Sequence, residues 1–236
     1  MNRSIGFYLL LSSLLLVWAC DNAILQPVPK RERTNIRFLH AHADLGSVNV
    51  NLSSYGEVRT VASSLSFLTG WPSQGYASVL VDTSETVAPT LLELVQSNLG
   101  GTLIEGKEID LFPATRSTFA ILDSFNKPLF VQTSDDFEAP IAGHANFRFM
   151  NLNHNLLSVS LKSSTDSVNI ARQNFLNYSR FKYLPAGRYS FFFVDDFTGV
   201  TKTSILDLDI QAGKTYSFYL THINGTAKAG VELLEQ

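Results

Sequence analysis

The sequence predicts an all-β protein made of two tandem copies of one antiparallel β-sandwich, and three observations predict it. Apolar and polar residues alternate along short segments, as in Ile36-Arg37-Phe38 and Val48-Asn49-Val50-Asn51-Leu52, which is the pattern of strands with one buried face. Turn-forming groups separate these segments, among them Pro185-Ala186-Gly187, Asp196-Phe197-Thr198-Gly199 and Asn224-Gly225. The chain also repeats itself: Asn35-Ile36-Arg37-Phe38-Leu39 recurs 111 residues later as Asn146-Phe147-Arg148-Phe149-Met150.

Composition is that of a folded protein, with 45% hydrophobic and 17% charged residues in a chain of 236. A net charge of −3 and a pI near 5.9 provide no basic surface for phosphate neutralisation, so nucleic acid is not an expected partner. One cysteine excludes an intramolecular disulfide and any multi-thiolate metal site.

The elements follow in order. Residues 1–19 have the anatomy of a signal peptide: Asn2-Arg3 is a short basic start, and an apolar run from Ile5 to Val17 is too short to span a bilayer. Val17-Trp18-Ala19-Cys20 resembles a bacterial lipoprotein signal, although Trp18 and Val17 depart from the usual residues. The resemblance implies cleavage before Cys20, acylation of its thiol, palmitate included, and a lipid bilayer as partner. A cell-envelope location follows, in the outer membrane or facing the periplasm. Residues 20–34, with Pro27, Pro29 and Lys30-Arg31-Glu32-Arg33, read as a solvated tether.

The first unit is expected over residues 35–134, a polar linker over 135–145 and the second unit over 146–236. The ungapped shift aligns Leu45 with Leu156, Ser47 with Ser158 and Val48 with Val159. With gaps, Tyr76 to Asp82 is set against Tyr189 to Asp195, and Phe119-Ala120-Ile121 against Phe218-Tyr219-Leu220. Pro89 to Leu99 reads as a strand with an insertion, in the place of Ser204 to Asp207.

The second unit carries Arg148-Phe149, then Ser158-Val159-Ser160-Leu161, then Tyr183-Leu184-Pro185-Ala186-Gly187-Arg188-Tyr189, then Ala212-Gly213-Lys214-Thr215-Tyr216. With these boxes it resembles the bacterial DUF4397 family over nearly all of residues 146–236. The resemblance implies immunoglobulin-like β-sandwich repeats in an envelope or secreted protein, with no established biochemical role. The first unit is a divergent member: Gly70 to Tyr76 and Phe112 to Arg116 stand where the two turn boxes should be.

The sharpest chemical candidate is His40-Ala41-His42-Ala43-Asp44, because period two puts all three polar groups on one face of a strand, as metal ligands require. The repeat argues against it: the aligned residues are Asn151, Asn153 and Asn155, which share with them a tendency to bond the backbone at strand ends. No metal, cofactor or catalytic residue is therefore expected, and the other histidines, His144, His154 and His222, have no motif around them. Asp135-Asp136 and Asp195-Asp196 read as solvated loop residues. Trp71, Tyr55, Tyr178 and Tyr183 lie in or near turns where a sugar or peptide can stack, and the outward ring of Phe191-Phe192-Phe193 is expected at the contact between the copies. The function expected is a non-catalytic envelope lipoprotein that binds an envelope protein or a glycan, or acts as a spacer. The alternative is a metal-dependent or hydrolytic enzyme using the His40, His42, Asp44 face.

Overall fold

The structure, a computed structural model, describes residues 31–54, 57–73, 75–82, 90–97, 101–124, 127–165 and 169–235. The expected signal segment, Cys20 and Tyr55 lie outside the described residues. The fold is all-β, with two sandwiches. In the first, β1 (Arg31–Ala41) is flanked by β4 (Thr69–Trp71) and β5 (Ala77–Asp82) on one side and by β8 (Arg116–Ser124) and then β9 (Lys127–Ser134) on the other. The facing sheet runs β3 (Glu57–Leu65), β2 (Val48–Ser54), β6 (Thr90–Gln96), β7 (Thr102–Ile109).

The second sandwich repeats this plan. One sheet runs β13 (Lys182–Pro185), β10 (His144–Asn151), β16 (Thr215–Ile223), β17 (Thr226–Glu235). The other runs β12 (Asn169–Asn174), β11 (Ser158–Ser163), β14 (Gly187–Asp195), β15 (Thr201–Ile210). Pairing is antiparallel except that β1 lies parallel to β8, and β10 parallel to β16.

Alternation fills each core as the sequence pattern requires. Ile36, Phe38, Val48, Val50, Phe119 and Ile121 are buried together in the first, and Phe147, Phe149, Val159, Leu161, Phe191, Phe193 and Phe218 in the second. A third cluster lies on the opposite faces of β1, β8, β10 and β16, where Leu39, Ala41, Ala120 and Leu122 meet Met150, Leu152 and Tyr219. The central sheet of each unit is thus apolar on both sides, and the two units stack through those sheets. Each large side chain sealed there is worth about 1.5–3 kcal/mol over leaving it in water.

Two close backbone approaches depend on glycine. A Cβ on Gly230 would sit 2.7 Å from Cε2 of the Tyr219 ring, and one on Gly70 would sit 2.6 Å from Glu232 Oε2.

Four sequence expectations change. Arg31-Glu32-Arg33-Thr34 are not tether but the start of β1, paired with β5, and Thr34 is fully buried against Thr115. The expected linker is shortened by β10, which begins at His144, and its first residue Asp135 is fully buried. Ala77–Asp82 pairs with β1 as β13 pairs with β10, so it is not the counterpart of β14; β6, held between β2 and β7, is. Period two is common to every strand, so a gapped match between alternating segments had no register to hold it. Phe192 is half-buried on the outer sheet, between Lys162 and Ser204, and is absent from the cluster joining the units.

Candidate functional site

The end of β1 delivers His40 and His42 as expected, but to different surroundings. His40 is fully buried; its Nε2 donates to the Gly46 carbonyl at 2.8 Å and its Nδ1 accepts the backbone N–H of His42 at 3.2 Å. Burial pushes its pKa down to about 4, with the Gly46 bond opposing, so the ring is neutral. Asn151 does the same work in the second unit: its Oδ1 accepts from Asn153 N at 3.1 Å and its amide donates to Leu156 O at 2.8 Å. Asp44 is exposed in a short 3-10 turn, Ala43–Leu45. The three candidates are therefore not assembled: both His40 nitrogens are committed to the backbone.

His42 turns instead toward Asp123 at the end of β8, its Nε2 3.6 Å from Asp123 Oδ1. The other carboxylate oxygen, Oδ2, lies 3.5 Å from His222 Nε2 and 3.9 Å from His154 Nδ1, both from the second unit. The His154 and His222 rings meet edge to face at 4.4 Å, and His154 Nδ1 donates to the Asp123 carbonyl at 3.2 Å. Asp123, His42 and His222 are buried, yet Asp123 Oδ1, both His42 nitrogens and His222 Nδ1 have no hydrogen-bond partner among the described residues. Burial lowers the pKa of both His42 and His222, against the pull of Asp123 and Asp44. Sequence spacing hides this cluster, whose members are scattered over 180 positions from His42 to His222. The one available signal is the repeat, in which Asp123 and His222 each stand two places after the aligned Ile121 and Leu220.

A second feature is an open cleft of about 510 Å³ between the connector and the edge of the second unit. Tyr178 and Tyr183 line it, 41% and 44% exposed, with Asp136, Glu138, Asn146 and Arg180. Behind it, the lining rings Phe137 and Phe181 are sandwiched between two guanidinium groups. Arg116 lies 4.0 Å over Phe137, Phe137 packs at 4.9 Å on Phe181, and Arg148 lies 4.8 Å over Phe181. The stack exists because Asp135 anchors the connector, against the expectation of a solvated loop. Asp135 accepts hydroxyls from Tyr76 at 2.7 Å and from Thr118 and Thr133, and pairs with Arg148. Asp195 and Asp196 shape a turn: Asp195 accepts from Phe197 N and Thr198, and Asp196 from Ser158 and Ser160. Of the aromatics singled out from the sequence, Tyr178 and Tyr183 meet in the cleft, while Trp71 packs 6.2 Å from Phe38.

No family model and no curated protein matches the chain. Solved structures resemble it weakly. A family CBM26 module of Eubacterium rectale Amy13K, in complex with maltoheptaose, is 11% identical with a TM-score of 0.27, covering 84% of this chain and 95% of its own. The multi-modular glycogen-degrading pneumococcal virulence factor SpuA is 13% identical at TM-score 0.25, covering 83% of this chain and 21% of its own. A protein of Bacteroides uniformis assigned provisionally to cell adhesion is 9% identical at TM-score 0.25, covering 89% and 99%. At such scores the likenesses carry no argument about ligand.

Proposed function

We propose that this chain is a non-catalytic binding module of the bacterial cell envelope, tethered through acylated Cys20, that takes a glycan in the cleft beside the connector. The carrying observation is the pair of exposed phenol rings, Tyr178 and Tyr183, set among Asp136, Glu138, Arg180 and Asn146. A sugar presents an apolar C–H face and a rim of hydroxyls, and this lining offers ring faces for the first and charged or amide groups for the second. Arg148 also lies 5.8 Å over the Tyr178 ring, so that ring is held before any ligand arrives.

The full chain, purified in detergent, is titrated with soluble oligosaccharides and with envelope peptidoglycan fragments while its tyrosine fluorescence is followed. Saturable binding that falls at least tenfold in both Tyr178→Ala and Tyr183→Ala, at unchanged Tm, supports the reading. Binding indifferent to both substitutions, or none to any glycan, overturns it. The tether is tested separately: Cys20→Ser abolishes acyl labelling if the thiol is the attachment point, and unchanged labelling refutes it.

A further inference from the structure

We propose that Asp123, His154 and His222 form a binding site for a divalent first-row transition-metal ion, built across the junction of the two sandwiches. Asp123 ends β8 of the first unit, while His154 follows β10 and His222 lies on β16 of the second, so the site exists only when the units are stacked.

The geometry suits an ion. Ligands about 2.1 Å from a tetrahedral centre are separated by about 3.4 Å. Asp123 Oδ2 stands 3.5 Å from His222 Nε2 and 3.9 Å from His154 Nδ1, so both carboxylate edges need only small contractions. The three donor atoms all lie within 4.8 Å of one another. Two imidazoles and one carboxylate select transition ions over calcium or magnesium, which prefer all-oxygen sites.

Buried and unsatisfied groups point the same way. Asp123 is 5% exposed and His42 4%, and Asp123 Oδ1 with both His42 nitrogens lacks a hydrogen-bond partner among the described residues. Native interiors rarely leave buried polar atoms orphaned in such a group. A cation on Oδ2 gives the buried carboxylate the counter-charge it lacks. His42, 3.6 Å from Oδ1, then orients the carboxylate from behind rather than ligating. His154 moves its ring proton from Nδ1 to Nε2 on binding, giving up its bond to the Asp123 carbonyl. The site keeps a net charge of +1 with its ion.

The test uses the full chain in detergent, free of any histidine tag, stripped with chelator and titrated with Zn²⁺, then with Co²⁺ as a spectroscopic probe. One ion per chain is expected, with visible Co²⁺ absorption, a Tm raised by about 5–10 °C at hundredfold excess over Kd, and affinity at least hundredfold lower in His222→Ala and in the near-isosteric Asp123→Asn. His42→Ala is expected to weaken binding by about tenfold to hundredfold. Absence of stoichiometric Zn²⁺ at tens of micromolar, or binding unchanged by Asp123→Asn, overturns the proposal. If the variants do not fold, histidine resonances of the unaltered protein decide. Zn²⁺-induced shifts at His154 and His222 support the site, and shifts confined to His144 overturn it.

Discussion

Arg148 Nη2 stands 2.6 Å from Asp135 Oδ1, and neither side chain is exposed to solvent. Arg148 opens the second unit on β10 and Asp135 closes the first just after β9. The aligned Arg37 makes the reciprocal reach, from β1 to Glu232 on β17, with its Nη1 donating to Gly75 O at 3.0 Å. The repeat therefore places one buried guanidinium in each central sheet, and each finds its carboxylate outside its own unit. A guanidinium taken out of water is tolerated only when so paired.

Removing one partner leaves the other charge buried. Asp135→Ala is expected to cost about 3–5 kcal/mol in urea unfolding, and the Asp135→Ala, Arg148→Met double variant to recover part of it. A single-variant loss below 1 kcal/mol would show that the pair is not a structural tie.

The approach of β17 to β16 admits no side chain at Gly230. Gly230→Ala is expected to destabilise by about 1–3 kcal/mol through overpacking against Tyr219, and to be relieved by adding Tyr219→Leu. Thermal unfolding of the two variants side by side checks this.

His40 sets an acid-side sensitivity. Its folded pKa near 4 lies below its ordinary 6.5, so the neutral ring is the folded form. Its contribution is complete above pH 6.5 and drains away as pH falls toward 4, a few kcal/mol in all. His40→Asn, which copies Asn151, is expected to keep the fold and flatten that part of the stability–pH curve. An unchanged difference between pH 7 and pH 4.5 would count against it.

The triple phenylalanine of β14 separates core from surface. Phe191→Ala and Phe193→Ala, both fully buried, are expected to cost about 3–5 kcal/mol, and Phe192→Ala under about 1 kcal/mol. A large loss at Phe192 would place it in a contact the stacked sheets do not show.

Much of the architecture was legible in sequence because alternation is a local property. Val48, Val50 and Leu52 face one core, and Val159 and Leu161 the other, as period two requires. The pairing of His40 with Asn151 was also legible, since the repeat aligned two side chains that bond the same backbone position two residues on. The cleft was half visible: Tyr178 and Tyr183 stood out as turn aromatics, but nothing nearby in sequence joins them to Phe137 and Glu138 of the connector. The Asp123, His154, His222 cluster left only the repeat alignment of Asp123 with His222 as a trace, since its members come from three separate segments in two units.

The sequence by itself determined the strands, the two units and their inner cores, because each depends on residues a few positions apart. Only the tertiary structure decided what the second face of β1 and β10 meets. Arg37 and Arg148 read as solvent-facing positions of alternating strands, and they are fully buried because the two central sheets stack. Alternation states which residues share a face; what covers that face is settled by surfaces more than a hundred residues apart. The cleft, the buried ion pairs and the histidine–aspartate junction arise from that contact.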